Sequence, residues 1–328
     1  MKNIRAKIIG TGASLPEKIL TNADLEKMVD TTDEWIMTRT GIRERHIARE
    51  DESLSTFAIE ASLRAIEMAG IRPEEIDLII CATVTPDMPL PATACFIQEA
   101  LGAKNAAAFD MSAACSGFIF ALSIANQFIA TGKYKYILII GGEVLSKFLD
   151  WQDRATCIIF ADGAGAAVLS PTSGDKGVLA TSIHNDGQYT DFLQVPAGGT
   201  VKQTSHETVD KREHFVKMKG NELFKVAIRC MESVSREVLK NAGLTTEDLD
   251  HFIPHQANER ITQAVANRLK IPKSIVYSNI ARIGNTSSGS IPIALDEMVR
   301  DGKIKTDDLI IMSSFGGGVT WGAGLVRW

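Results

Sequence analysis

AGIRPEEIDLII (residues 69–80) has a counterpart later in the chain, AGLTTEDLDHFI (242–253). Each closes a helix on a glycine, turns through a short acidic stretch and enters an apolar strand. Two further pairs follow in the same order. ATGKYKYILII (130–140) corresponds to RDGKIKTDDLIIM (300–312), again a helix end followed by an apolar strand. DGAGAAVLS (162–170) is echoed by TWGAGLVRW (320–328), a small-residue turn leading into a strand. Three matches in one order are explained by a single internal duplication with small insertions and deletions.

Outward from these anchors, each half alternates strands with helices. Apolar periodicity predicts helices over 54–68, 117–129, 221–241 and 258–269, and buried strands over 78–82, 137–140, 158–160 and 309–312. That alternation gives an α/β protein whose sheets are covered by helices on their faces. Two similar halves can pack about a pseudo-twofold axis with their central helices in the middle. The run PTSGD (171–175) breaks the pattern, so the expected halves are 1–172 and 173–328.

Composition narrows the function. The 328 residues are 45% apolar and 23% charged, with a net charge of −5, which calls for no nucleic-acid partner. Apolar stretches such as 137–140 are too short to span a bilayer, and MKNIRAKIIGTG lacks the apolar core of a secretory signal. A soluble cytoplasmic enzyme is expected. Cysteines at 81, 95, 115, 157 and 230 are odd in number and include no CxxC, which argues against a disulfide framework or a cysteine zinc site.

Three residues have a context suited to chemistry. Cys115, in AAAFDMSAACSGFIFAL (106–122), follows a small-residue strand and precedes a nearly all-apolar helix. A thiol at a helix N-terminus meets unpaired N–H groups and the positive end of the dipole, which lower its pKa. The bland reading is a packed core cysteine. His255, in FIPHQANERI (252–261), precedes a helix whose dipole disfavours imidazolium, leaving a neutral hydrogen-bond donor; the alternative is a satisfied loop histidine. A zinc pair of His251 and His255 fails because Pro254 interrupts the helix it would need. Asn285, in ARIGNTSSGSIPIALDE (281–297), can donate to a developing oxyanion or simply cap a helix. The duplication sets Cys115 and Asn285 at corresponding strand-to-helix turns near the axis, with His255 at the C-terminal end of a strand. The glycines of FGGGVTWGAG (315–324) could form an oxyanion pocket. Gly10-Thr11-Gly12 lacks the third glycine of a dinucleotide fingerprint and reads as a strand end.

At these residues the chain resembles the 3-oxoacyl-[acyl-carrier-protein] synthase III family over essentially its whole length. The resemblance is carried by TNADLEKMVDTTDEWIMTRTGIRERHIA (21–48), AACSGF (113–118), DRATCIIFADGAGAAVL (153–169), IPHQAN (253–258), GNTSSGSIP (284–292) and FGGGVTWGAGLVR (315–327). It implies a thiolase-like fold, layered α-β-α-β-α. It also implies a decarboxylating Claisen condensation of an acyl-CoA primer with malonyl-acyl-carrier protein, initiating fatty-acid synthesis. Cys115 would carry the acyl group. The amides of Cys115 and of Gly316, Gly317 and Gly318 would hold its oxyanion, with Phe315 beside it, and His255 and Asn285 would hold the malonyl thioester. No metal or redox cofactor is implied.

The same resemblance puts CoA adenine between Trp35 and Arg154, with Thr31, Arg39, Gly220 and Asn258 lining its tunnel. Leu145, Ile159 and Phe160 would shape an acyl pocket, with Leu90 reaching in from the partner of a homodimer. Lys225, Arg260 and Arg268 would dock the acidic carrier protein. A leucine at 90, where many acetyl-using relatives carry phenylalanine, leaves room for a longer or branched primer. Rival readings are a Cys-His-Asn enzyme priming a polyketide or quinolone-type pathway, an acyl-CoA thioesterase and a catalytically silent acyl-CoA binder.

Overall fold

A computed structural model describes residues 4–328. In chain order its principal elements are β1 (Ile4–Ser14), α1 (Asp33–Thr40), α2 (Leu54–Ala69), β2 (Leu78–Ala82), α3 (Thr93–Leu101), β3 (Ala107–Met111), α4 (Gly117–Ala130), β4 (Ile137–Val144) and β5 (Asp162–Ser173). The remainder are β6 (Gly177–Asn185), α5 (Gly220–Ala242), β7 (His251–Pro254), α6 (Glu259–Leu269), α7 (Ser290–Arg300), β8 (Leu309–Gly316) and β9 (Thr320–Arg327).

Two sheets result. The first runs β1-β5-β4-β2-β3 and the second β7-β8-β9-β6. In the first, β2 is parallel to β3 and β4, while β5 is antiparallel to β4 and β1. The second repeats this pattern: β7 is parallel to β8, and β9 is antiparallel to both β8 and β6. Even the place of β3 has a remnant, a single parallel bridge between Phe252 and Val276.

The strand at the first repeat shows why five layers form. All of β2 is buried, with Leu78, Ile80 and Ala82 on one face and Ile79 and Cys81 on the other. Successive side chains of a strand point to opposite faces, so a wholly apolar strand needs cover on both sides. One face packs in a cluster with Phe118 and Leu122 of α4, Ile291 and Leu295 of α7, and Ile310 and Met312 of the second sheet. The other meets Phe57 and Ala61 of α2 and Ile97 of α3. On the far side of the second sheet, Val234 and Val238 of α5 and Val265 of α6 pack against Phe252 and Ile311. The order is therefore helices, sheet, central helices, sheet, helices.

Two sequence expectations need correction. Gly10-Thr11-Gly12 lies inside β1, not at its end. Helix α2 lies so close that a Cβ would come within 2.1 Å of the Ala65 carbonyl at Gly10 and of the Ala61 carbonyl at Gly12. Residues 158–160 form no strand. Asp153 caps a single helical turn, Arg154–Cys157, Ile158 keeps helical backbone at its end (φ −79°, ψ −12°), and only Phe160 makes an isolated parallel bridge, to Asn285. Among the described residues no helix is long and apolar enough to cross a membrane.

Candidate active site

Cys115 sits on a tight turn at the head of α4. Ala114 has φ 46°, a left-handed conformation rare outside glycine, and the turn Ala114–Ser116 runs directly into the helix. The Ser314 hydroxyl donates to the Cys115 carbonyl at 2.7 Å, tying the turn to β8. Gly316 presses on it from the same strand: a Cβ there would lie 2.6 Å from the Cys115 nitrogen.

The second half builds the matching turn. Ser287 has φ 52° at the head of α7, so the positional counterpart of Cys115 is Ser288, and Asn285 lies just before the turn. Asn285 is clamped by its backbone: its N–H donates to the Ile159 carbonyl at 3.1 Å and its carbonyl accepts from Ala161 at 2.8 Å. Its Oδ1 accepts the Ser287 N–H at 2.8 Å, which leaves the Nδ2 hydrogens free for the cavity. His255 follows β7, its N–H donating to the Ser313 carbonyl at 2.8 Å, and its Nδ1 lies 2.6 Å from Ser290 Oγ. Burial pushes its pKa down to about 3, so the ring is neutral.

Cys115, His255, Asn285, Phe315 and Gly316 line one cavity of about 610 Å³. Trp35, Arg39, Gly220 and Asn258 line it too, with Lys225 and Arg260. Cys115 also lines a second cavity of about 540 Å³, with Leu145, Phe160, Gly317 and Gly318. Phe160 and Leu193 are common to both cavities, so the sulfur stands where two chambers meet.

Other expected residues lie elsewhere. Ile159 lines the first cavity, not the second. Thr31 lines neither, and its hydroxyl is buried without a partner among the described residues. Arg154 is absent from the walls but stacks its guanidinium 5.0 Å from the Trp35 ring centre. Leu90, expected to serve the pocket of a partner, is 84% exposed and lines neither chamber of its own chain. Arg268 pairs with Glu232 at 3.2 Å near the far end of α6 from Arg260.

The expected lowering of the Cys115 pKa by its helix is overridden. Burial pushes the thiol up to about 11, against smaller opposing effects of the Ser287 hydroxyl and the Gly317 N–H. Sequence reasoning also missed Ser287, whose Oγ lies 3.3 Å from Cys115 Sγ, and Glu143 behind it. A signal existed for the glutamate: GGEVL (141–145) sets an acid at the end of an otherwise apolar strand. Phe148, Leu193 and Val216, which complete the second chamber, carried none.

Models described as 3-oxoacyl-[acyl-carrier-protein (ACP)] synthase III and its C-terminal region match residues 109–187 and 239–328. A β-ketoacyl-[acyl-carrier-protein] synthase III of Caldanaerobacter subterraneus is 53% identical over 327 residues, spanning 100% of this chain and 99% of that relative. The crystal structure of the corresponding synthase III of Aquifex aeolicus is 51% identical, covers 98% of this chain and 100% of its own, and superposes with a TM-score of 0.91. The priming β-ketosynthase of a polyketide pathway is 35% identical, with 98% and 96% coverage and a TM-score of 0.91. Similarity this extensive in both sequence and fold makes the chain a member of the 3-oxoacyl-[acyl-carrier-protein] synthase III family, acyltransferases of thiolase-like fold.

Proposed function

We propose that the chain condenses an acyl-CoA primer with malonyl-acyl-carrier protein, giving 3-oxoacyl-carrier protein, CoA and CO2 as the first step of fatty-acid synthesis. The single observation that carries this reading is the position of Cys115 at the meeting point of two chambers, one of which also holds His255 and Asn285. A nucleophile placed there can keep an acyl chain in one chamber while a second thioester occupies the other.

In the first step the Cys115 sulfur attacks the primer carbonyl and CoA leaves. The oxyanion lies toward the amides of Cys115 and of the 316–318 glycines. In the second step the malonyl thioester carbonyl accepts hydrogen bonds from Asn285 Nδ2 and His255 Nε2. With the Ser290 hydroxyl, 2.6 Å away, donating to His255 Nδ1, the one proton of the neutral ring would sit on Nε2. These two donors stabilise the enolate released on decarboxylation, and its carbon attacks acyl-Cys115. A neutral, desolvated histidine suits this role and is a poor base for activating water, which disfavours a thioesterase. The chemistry calls for no metal or redox cofactor.

CoA adenine would slide between Trp35 and Arg154, a slot the stacked guanidinium fills at present. Lys225 and Arg260 stand at the chamber that the carrier arm would use, and Arg260 also covers Phe224. Halves 1–172 and 173–328 divide the work, one supplying the nucleophile and the other the two donors. A homodimer in the cytoplasm is part of the proposal. It draws support from the unpaired edge of β3 and the exposed Leu90, Met88 and Val84. The test is product analysis with a panel of acyl-CoAs and malonyl-acyl-carrier protein. Release of a 3-oxoacyl-carrier product supports the proposal; free acid with no condensed product contradicts it.

A further inference from the structure

Burial holds Cys115 as a thiol, so its acylation needs somewhere for the proton to go. His255 is a poor destination: burial disfavours its charged form and its Nδ1 is occupied by Ser290. On another side of the sulfur, Ser287 Oγ lies 3.3 Å from Cys115 Sγ and 3.4 Å from Glu143 Oε1. A hydroxyl has one hydrogen to give. When Ser287 gives it to the carboxylate, its lone pairs face the thiol.

Glu143, at the end of β4, is fully buried. It accepts the N–H groups of Val84 and Thr85 and the hydroxyls of Thr83, Thr85 and Ser288, at 2.7 to 3.2 Å. Neutral donors make up this shell, with no cation among them. The titratable group facing Glu143 is Cys115, reached through Ser287; Cys81, on the adjoining β2, points to the opposite face of the sheet. Burial pushes the Glu143 pKa up to about 7, where a carboxylate can both accept and return a proton.

We infer that Ser287 and Glu143 take up the thiol proton of Cys115 during acylation and return it during condensation, an inference that rests on Cys115 being the acyl-carrying nucleophile. As the Sγ–C bond forms, the thiol proton passes to Ser287 Oγ and the Ser287 hydroxyl proton passes to Glu143 Oε1. The C–S bond to CoA breaks, and the CoA thiolate leaves to take a proton from water. When the enolate carbon later attacks, the C–Sγ bond breaks and Cys115 recovers its proton from Glu143 through Ser287. Ser287 touches the reacting sulfur; Glu143 is a positioning residue that acts through it.

The test is the single-turnover rate of Cys115 acylation by acyl-CoA, followed by intact mass from mildly acidic to mildly alkaline pH. Iodoacetamide alkylation of the same thiol is followed in parallel. Ser287→Gly removes the hydroxyl and suits φ 52°, leaving the other Glu143 contacts in place. Glu143→Gln removes the proton acceptor, and Glu143→Asp restores a carboxylate. The wild type should gain rate as pH rises through about 7. Both Ser287→Gly and Glu143→Gln should lose that limb and acylate about 100-fold more slowly at neutral pH, while Glu143→Asp regains the limb. If a folded Ser287→Gly protein keeps the wild-type rate and pH profile, the inference is overturned, whether or not Glu143→Gln folds. If the wild type itself carries no acyl group on Cys115, the underlying reading fails instead.

Discussion

Ala114 and Ser287 occupy matching points of the two halves, each with a left-handed φ (46° and 52°) on the turn that opens a central helix. One turn raises Cys115 and the other follows Asn285. A duplicated strand-turn-helix thus faces itself across the middle layer, and the site forms where the two copies differ.

Gly316 should be intolerant of even one methyl group. Its added Cβ would meet the Cys115 nitrogen at 2.6 Å and the Ala114 Cβ at 3.2 Å, and that turn has no slack. Gly316→Ala should destabilise the fold by about 1–3 kcal/mol and cut acylation more than substrate binding. Thermal melts and burst-phase acylation measured on the same preparation check both parts.

The two ends of the Asn285 amide have separate tasks, so two substitutions should separate them. Asn285→Asp keeps an acceptor for the Ser287 N–H but loses the donor aimed at the substrate. Acylation should survive while condensation falls about 100- to 1,000-fold. Asn285→Ala should show the same loss and also cost about 1–3 kcal/mol, because a buried N–H is left unpaired. Wild-type stability of Asn285→Ala would contradict this division.

Stability should depend on His255 in a defined pH window. Its pKa falls from 6.5 to about 3 on folding, so between these values the unfolded chain binds the extra proton. Its contribution is therefore fully present above pH 6.5 and is lost as pH falls toward 3. Glu143 works in the opposite sense: its pKa rises from 4.5 to about 7, so its contribution is lost as pH rises through that range. Urea unfolding across this range should show a shallower acid slope in His255→Gln than in the wild type.

The second chamber should set primer length. Val216 is buried on its wall with Leu145, Phe148 and Phe160. Val216→Phe should shorten the longest acyl-CoA accepted and spare acetyl-CoA, as read by product chain length. An unchanged profile would show that the acyl chain lies elsewhere.

Much of this was legible because duplication leaves a pattern that sequence alone displays. The repeat at 69–80 and 242–253 exposed the paired sheets, and the wholly apolar β2 and the apolar start of β8, residues 309–312, required cover on both faces. Cys115, His255 and Asn285 stood out by their small-residue and turn contexts. What stayed hidden depends on three-dimensional burial. The run 158–160 looks like a strand, yet Ile158 continues the turn that Asp153 caps and only Phe160 bridges, to Asn285, remote in the chain. The thiol pKa looks lowered by its helix until the depth of the site reverses it. Ser287 carried no reading at all, since nothing local reveals that it touches a sulfur 172 positions away.

The central claim is that Cys115 carries the acyl group. Incubation with acyl-CoA alone, followed by intact-mass measurement and peptide mapping, tests it most directly. One acyl group should appear on the peptide containing Cys115, persist in Asn285→Asp, disappear in Cys115→Ser, and clear from the wild type when malonyl-acyl-carrier protein is added. An adduct mapped to Cys81, Cys95, Cys157 or Cys230, or one surviving in Cys115→Ser, would contradict it.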